Sequence, residues 1–259
     1  MLRRFNLSLT GVLIFLIAVL SFGQEVPEDQ LFTVHQDNVK PSMVDQYEKA
    51  ADSLTAAFKE HSMEIPSMFT SQTDEFTYYY ITPIENYAAL DDMNDSWGEF
   101  IEKIGQEKWG EIEAGFEGTY FSHKDFIIRR SGELSHQPEK PRLVTKDASF
   151  IHWDWYWVEE GKSSEATEVV KKFKTLFAAN NIEDQFTVWL TDIGTDYGLI
   201  VITQIATDAS DYYRMVKERQ ELVGDEMELL YDKFVKYVKK FEHENGRLRH
   251  DLSYQKASD

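Results

Sequence analysis

The chain contains no cysteine. That absence excludes a disulfide framework, a thiolate metal site and a lipid-modified signal cysteine, and it leaves stability to the packed core. Basic residues are scarce as well: 27 Lys and Arg stand against 46 Asp and Glu, for a formal net charge of −19. Nucleic acids are bound by basic patches that release counterions. Here the lysines are interleaved with carboxylates, Lys171 and Lys172 beside Glu165 and Glu168, so no nucleic-acid partner is expected. The acidity instead favours solubility and weak repulsion from anionic membranes. Also missing are a G-x-S-x-G elbow, an H-E-x-x-H pair, a glycine-rich phosphate loop and an EF-hand loop. Carboxylate pairs such as Asp91 with Asp92 or Glu111 with Glu113 read as exposed helix positions rather than as a glycosidase pair. No catalytic residue follows from any motif.

The one long apolar run, Gly11 to Leu20 with its flanks, is short of the ~20 residues that span a bilayer. It follows a basic Met1-Leu-Arg-Arg and precedes Ser21-Phe22-Gly23, small residues placed for cleavage after Gly23. Residues 1–23 therefore read as a signal peptide, and its removal makes the chain more negative still. The expected location is the periplasm or the medium, with no membrane contact after cleavage. A cysteine-free chain passing into an oxidising compartment suggests a bacterial exported protein large enough to fold without staples.

The stretch Ser149 to Val158, SFIHWDWYWV, organises the rest. Period two divides it into Ile151, Trp153, Trp155 and Trp157 on one face and His152, Asp154 and Tyr156 on the other, the pattern of a strand with two differently occupied faces. The strict alternation of the tryptophans points to a core face covered by helices. Before it come a strand at Leu31–His35 and a helix capped by Ser42, with Val44, Tyr47, Ala51, Leu54 and Phe58 on one stripe. Strands at 67–71 and 76–82, a broken helical region from Ile84 to Ala114 and a strand at 119–128 follow. Residues 131–148, with Gly132, Pro138, Pro141 and no period, read as a linker between halves at 24–130 and 149–259. The second half continues with a helix carrying Val169, Val170, Phe173 and Phe177, strands at 184–191 and 197–205, and a helix over 207–223. Asp225 then caps a further helical segment, with Glu228 at the capping-box position, that runs through Phe234, Tyr237 and Phe241 towards Gly246. Arg247 to Tyr254 is the last strand expected.

The two halves correspond at a nearly constant separation. Ile81-Thr82 meets Ile202-Thr203, and the segment from Tyr87 to Met93 meets that from Ala209 to Met215. Each has the order β-α-β-β-α-β, the ferredoxin-like split unit. One such unit leaves a sheet face bare, and an exposed aromatic sheet face costs about 25 cal/mol per Å². Two units in one chain can cover each other. In this element order, from about Leu31 to Tyr254, the chain resembles the dimeric α/β-barrel superfamily in its fused, tandem form. The resemblance implies an α+β fold of two ferredoxin-like repeats packed sheet to sheet. That superfamily includes cofactor-free monooxygenases, haem-binding enzymes and many members without assigned activity. No subfamily motif matches, so no catalytic residue is carried over.

Candidate ligand-binding residues are His152, Asp154 and Tyr156 on the central strand, with His35 and His123 facing the same cavity from the other sheet. His152-x-Asp154 suits a metal-ligand pair or a general base with its orienter, although a strand histidine satisfied by its neighbours is the commoner case. Three histidines would suit zinc or haem, but the spacing along the chain carries no ligand signature and no metal is assigned. Three functions remain open. One is an exported protein binding a small hydrophobic or aromatic ligand in a pocket between the two sheets. Another is a cofactor-free or haem-dependent oxygenase-like enzyme, and the last a structural envelope protein. The fused halves allow a monomer or a homodimer.

Overall fold

A computed structural model describes residues 29–256; the expected leader over 1–23 and its cleavage after Gly23 lie outside the described residues. The first half runs β1 (Gln30–Val39), α1 (Val44–His61), β2 (Ser67–Thr73), β3 (Thr77–Ile84), α2 (Ala89–Ile104), α3 (Gln106–Phe116) and β4 (Tyr120–Arg130). The second runs β5 (Phe150–Val158), α4 (Ser163–Ala179), β6 (Thr187–Thr191), β7 (Leu199–Ala206), α5 (Ala209–Phe234) and β8 (Val238–Leu248), and a short β9 (Tyr254–Gln255) follows. The fold is α+β, two β-α-β-β-α-β units in one chain. Their strands pair antiparallel in the orders β4-β1-β3-β2 and β8-β5-β7-β6. The outer strands then join across the halves, β4 to β6 and β2 to β8, so the sheet closes into an eight-stranded barrel without free edges.

Closure depends on a glycine. Gly246 pairs with Thr73 where β8 meets β2, and a Cβ there would lie 2.1 Å from the Gln72 carbonyl oxygen and 2.8 Å from both the Thr73 Cα and the Trp153 ring. Only hydrogen fits at that approach.

The alternation in β5 is realised with its faces assigned the other way round from the sequence reading. Ile151, Trp153, Trp155 and Trp157 point into the barrel, where they pack with Val34, Tyr79, Leu199 and Val201. The helices cover the opposite face: Tyr156 packs under α4 and α5 beside Val170, Phe177 and Phe234. Periodicity shows that two faces differ, and both faces here are buried, so it does not show which one meets helices. In the first half α1 lays Tyr47, Ala51 and Phe58 on Tyr78 and Tyr80 of β3, with Phe100 of α2 and Ile112 of α3 completing that core.

Two further expectations are corrected, the Ser42 cap and the helical reading of Tyr237 to Phe241. Ser42 lies in a single 3₁₀ turn before α1 and caps nothing, since the residue preceding α1 is Met43 and makes no side-chain cap. The break expected between Val223 and Asp225 is present: α5 is two helical segments joined across a kink at Val223 (φ −138°, ψ 24°), the first capped by Asp208, whose side chain accepts from the Asp211 N–H at 2.8 Å. The helix stops at Phe234, and Val238–Leu248 is the strand β8. The linker, in turn, is bound to the second half. Leu134 is buried in that core, His136 bridges to Phe186, and Arg142 pairs with Asp184 at 2.8 Å and Asp211 at 3.1 Å.

No helix among the described residues is long and apolar enough to cross a membrane.

Candidate functional site

The helix-facing side of the first sheet holds the larger polar constellation. Alternation on β1 puts Thr33, His35 and Asp37 towards the helices, and the antiparallel register sets His35 opposite Asp125 and Asp37 opposite His123 on β4. His35 Nδ1 lies 2.7 Å from Asp125 Oδ1, and Nε2 lies 3.2 Å from Asp37 Oδ1. Burial alone would lower the imidazole pKa, but hydrogen bonding and charge from Asp37 and Asp125 outweigh it and raise it to about 9. His35 is thus an imidazolium at neutral pH.

Asp37 is 4% exposed. Its Oδ2 accepts from the Tyr47 hydroxyl at 2.6 Å, and Tyr47 Oη lies 2.9 Å from Tyr80 Oη. Burial, above all, pushes both phenols far above their ordinary range, so they stay protonated donors. Asp37 Oδ1 is ion-paired with the His35 imidazolium at 3.2 Å, but that contact is poorly aligned as a hydrogen bond and the oxygen has no other donor. A buried carboxylate oxygen met by a single poorly aligned donor can accept a further hydrogen bond.

These groups form one end of a cavity of about 1190 Å³ between the sheet and α1, α2 and α3. Its other walls are Leu54, Met93, Trp97, Trp109 and Phe116, and the Trp97 and Trp109 rings meet edge to face at 6.2 Å. His123 also lines it, its ring centroid 5.8 Å from that of His35. The volume exceeds the usual ~300–1,000 Å³ of a ligand site, and the plan of apolar walls with a few convergent polar groups is the usual one.

The second half has a smaller counterpart. His152 is buried against the Tyr212 ring, 4.6 Å away and nearly parallel. Its Nδ1 lies 2.7 Å from Asn245 Oδ1 and its Nε2 3.2 Å from Asp154 Oδ1. Burial opposes protonation of this imidazole, but the Asp154 and Asn245 contacts raise its pKa overall. Asp154 and Tyr156 line a cavity of about 160 Å³ with Arg219, Gln204 and Tyr231. Arg219 is 6% exposed and its Nε has no partner.

The sequence-derived candidates therefore fall into two groups. His35 and His123 share the first cavity, while His152, Asp154 and Tyr156 share the helix side of β5. They do not face one cavity between the sheets, because both sets point outward from the barrel into the helix layers of opposite halves. Asp37, Asp125, Tyr47 and Tyr80 were missed, as were His243 and Asn245 on β8. A signal for Asp37 was present: His35-x-Asp37 repeats the spacing of His152-x-Asp154. The register repeats too. Both first strands carry an irregularity, at Asn38/Val39 and Trp157/Val158, and four residues before its end His35 faces Asp125 in one half as Asp154 faces His243 in the other. Acid and base have exchanged strands.

No family model matches the sequence, and no curated protein is found to resemble it. Solved structures do. A provisional monooxygenase from Lactobacillus acidophilus NCFM superposes with a TM-score of 0.52 at 11% identity, covering 89% of this chain and 98% of the other. One from Fusobacterium nucleatum gives 0.53 at 13% identity, over 89% and 100%. An anthrone oxidase-like protein gives 0.59 at 8% identity, over 90% and 96%. These likenesses are of fold: the chain has the dimeric α+β barrel architecture, with both units in one chain.

Proposed function

We propose that the protein binds a small, flat, largely apolar ligand carrying a phenolic or enolic hydroxyl, in the cavity between the first sheet and its helices. The observation that carries this reading is Asp37 Oδ1, a buried acceptor met only by the poorly aligned His35 contact, on the wall of a space also lined by Trp97, Trp109 and Phe116. A ligand hydroxyl would satisfy it, and the ligand rings would lie against Trp97 and Trp109. The exported setting inferred from the leader belongs to the same proposal.

A second reading is an oxygenase-like enzyme, and one feature favours it. A carboxylate placed to accept a hydroxyl proton is also a general base, and the anion so formed would lie beside the imidazolium of His35. The neighbours named for monooxygenase and anthrone oxidase activity have this fold. A haem would have room, but His35 offers it no free nitrogen, since both face carboxylates. Of the histidines lining this cavity, His123 is the one that would hold it.

Titration with a hydroxylated anthrone, followed by quenching of tryptophan fluorescence, tests the first reading. Saturation at one ligand per chain is expected. Asp37→Asn should weaken binding about 10–100-fold, the equivalent of one hydrogen bond to a charged group. Quenching that never saturates, or that ignores Asp37→Asn, contradicts it. Oxygen uptake coupled to loss of the anthrone would establish the second reading, and a Soret band lost in His123→Ala would establish haem.

A further inference from the structure

The helix side of β5 carries a cluster that the ligand cavity does not use. His152, Asp154 and His243 bring one ligand atom each within 4.8 Å of one another. We propose that these three side chains bind one divalent first-row transition-metal ion, as a two-histidine, one-carboxylate site.

Ligands at ~2.0–2.2 Å from a common tetrahedral ion sit roughly 3–3.5 Å apart. His152 Nε2 and Asp154 Oδ1, at 3.2 Å, already have that separation. The imidazole is also oriented for the task. Asn245 Oδ1 accepts from Nδ1–H at 2.7 Å, which leaves the Nε2 lone pair for a metal, and the Asn245 amide reaches the Tyr213 hydroxyl at 3.3 Å. Stacking on Tyr212 fixes the plane of the ring. His243 is exposed, its ring 5.9 Å from that of His152, so a side-chain rotation brings in the third ligand. This donor set, two imidazoles and a carboxylate without thiolate, suits zinc or ferrous iron and leaves coordination positions open.

A second observation points the same way. Asp154 is shared with the adjoining small cavity, on whose wall Arg219 is buried with its Nε unpartnered. That cavity is therefore lined by a carboxylate of the proposed site and by an arginine with an unused donor, a pairing suited to a small anionic or carbonyl-bearing molecule.

Cobalt(II) titration of the chelator-treated full chain, read by visible absorption and checked by displacement with zinc, tests the proposal. One ion per chain is expected, bound tighter than about 100 µM. His243→Ala should lower the affinity at least 100-fold; because the residue is exposed, circular dichroism should show the fold intact. Asn245→Ala should lower it about 10–100-fold by freeing the imidazole, and His61→Ala, on a remote helix end, should leave it unchanged. Equal binding by His243→Ala and the unmodified chain overturns the proposal, as does the absence of cobalt absorption in the folded chain.

Discussion

His35 holds its proton against burial because two carboxylates flank it, and this makes stability depend on pH in a defined direction. Its pKa is raised from the ordinary 6.5 to about 9 in the folded chain. The stabilisation is complete below about pH 6.5 and is lost as pH rises through 9, where the folded state releases the proton it had kept. Urea unfolding between pH 6 and 10 should show that decline, and His35→Gln should flatten it; a decline of the same depth in the variant would assign it to other groups. Gly246 gives a second test at this scale. With the Gln72 carbonyl 2.1 Å from any Cβ, Gly246→Ala should destabilise by about 3 kcal/mol or more, the upper end of overpacking, measured by the same unfolding. Individual residues were legible where their own strand announced them. The period-two split of β5 singled out His152 and Asp154, whereas Asp125 and His243 reach their partners across a strand pairing that linear spacing does not encode.

Elements were legible where one face is apolar and the other polar. The stripe on α1 is buried as the pattern put it, and β5 is a strand over the expected residues with its two faces exchanged. β8 was not legible, for a physical reason: its barrel-facing positions are Lys240, Glu242 and Glu244, which pair with the tryptophan side of β5. Lys240 Nζ sits 4.1 Å from the Trp157 centroid, its charge over the ring. Charge at every second position beside Tyr237, Val238 and Phe241 imitates a continued helix. α5 offers a test of local rather than tertiary control. Asp208→Ala removes the only side-chain cap at its N-terminus and should cost about 1 kcal/mol, read as a lower urea midpoint with unchanged slope. An unaltered midpoint would mean that packing of Tyr212 and Met215 and the Arg142–Asp211 pair hold that end without the cap.

At the scale of the molecule, duplication was legible in element order, and barrel closure follows from two bare sheets needing cover. Less visible was where the chain goes afterwards. Residues after β8 return to the first half: Arg249 pairs with Glu48 and Asp251, Leu252 and Tyr254 enter the first core, and β9 joins β2. The Leu252 carbonyl accepts from Thr70 at 2.8 Å and Thr55 at 3.2 Å, and the Tyr254 hydroxyl donates to the Met63 carbonyl at 2.9 Å. This strap closes the floor beneath α1. Leu252→Ala should therefore destabilise by about 2–5 kcal/mol, with amide exchange rising in α1 and β2 rather than in α4; exchange rising equally in both halves would show the strap to be peripheral.

The central claim is that the space between the first sheet and its helices is a ligand site with Asp37 on its wall. Filling it is the most direct test. Leu54 lines the cavity from α1 and is only partly buried, so Leu54→Trp places an indole in the empty space with little strain elsewhere. Calorimetric titration of a hydroxylated anthrone into this variant should show no binding while the unmodified chain binds one equivalent, both unfolding at similar temperatures. Undiminished binding by a folded Leu54→Trp variant would contradict the account.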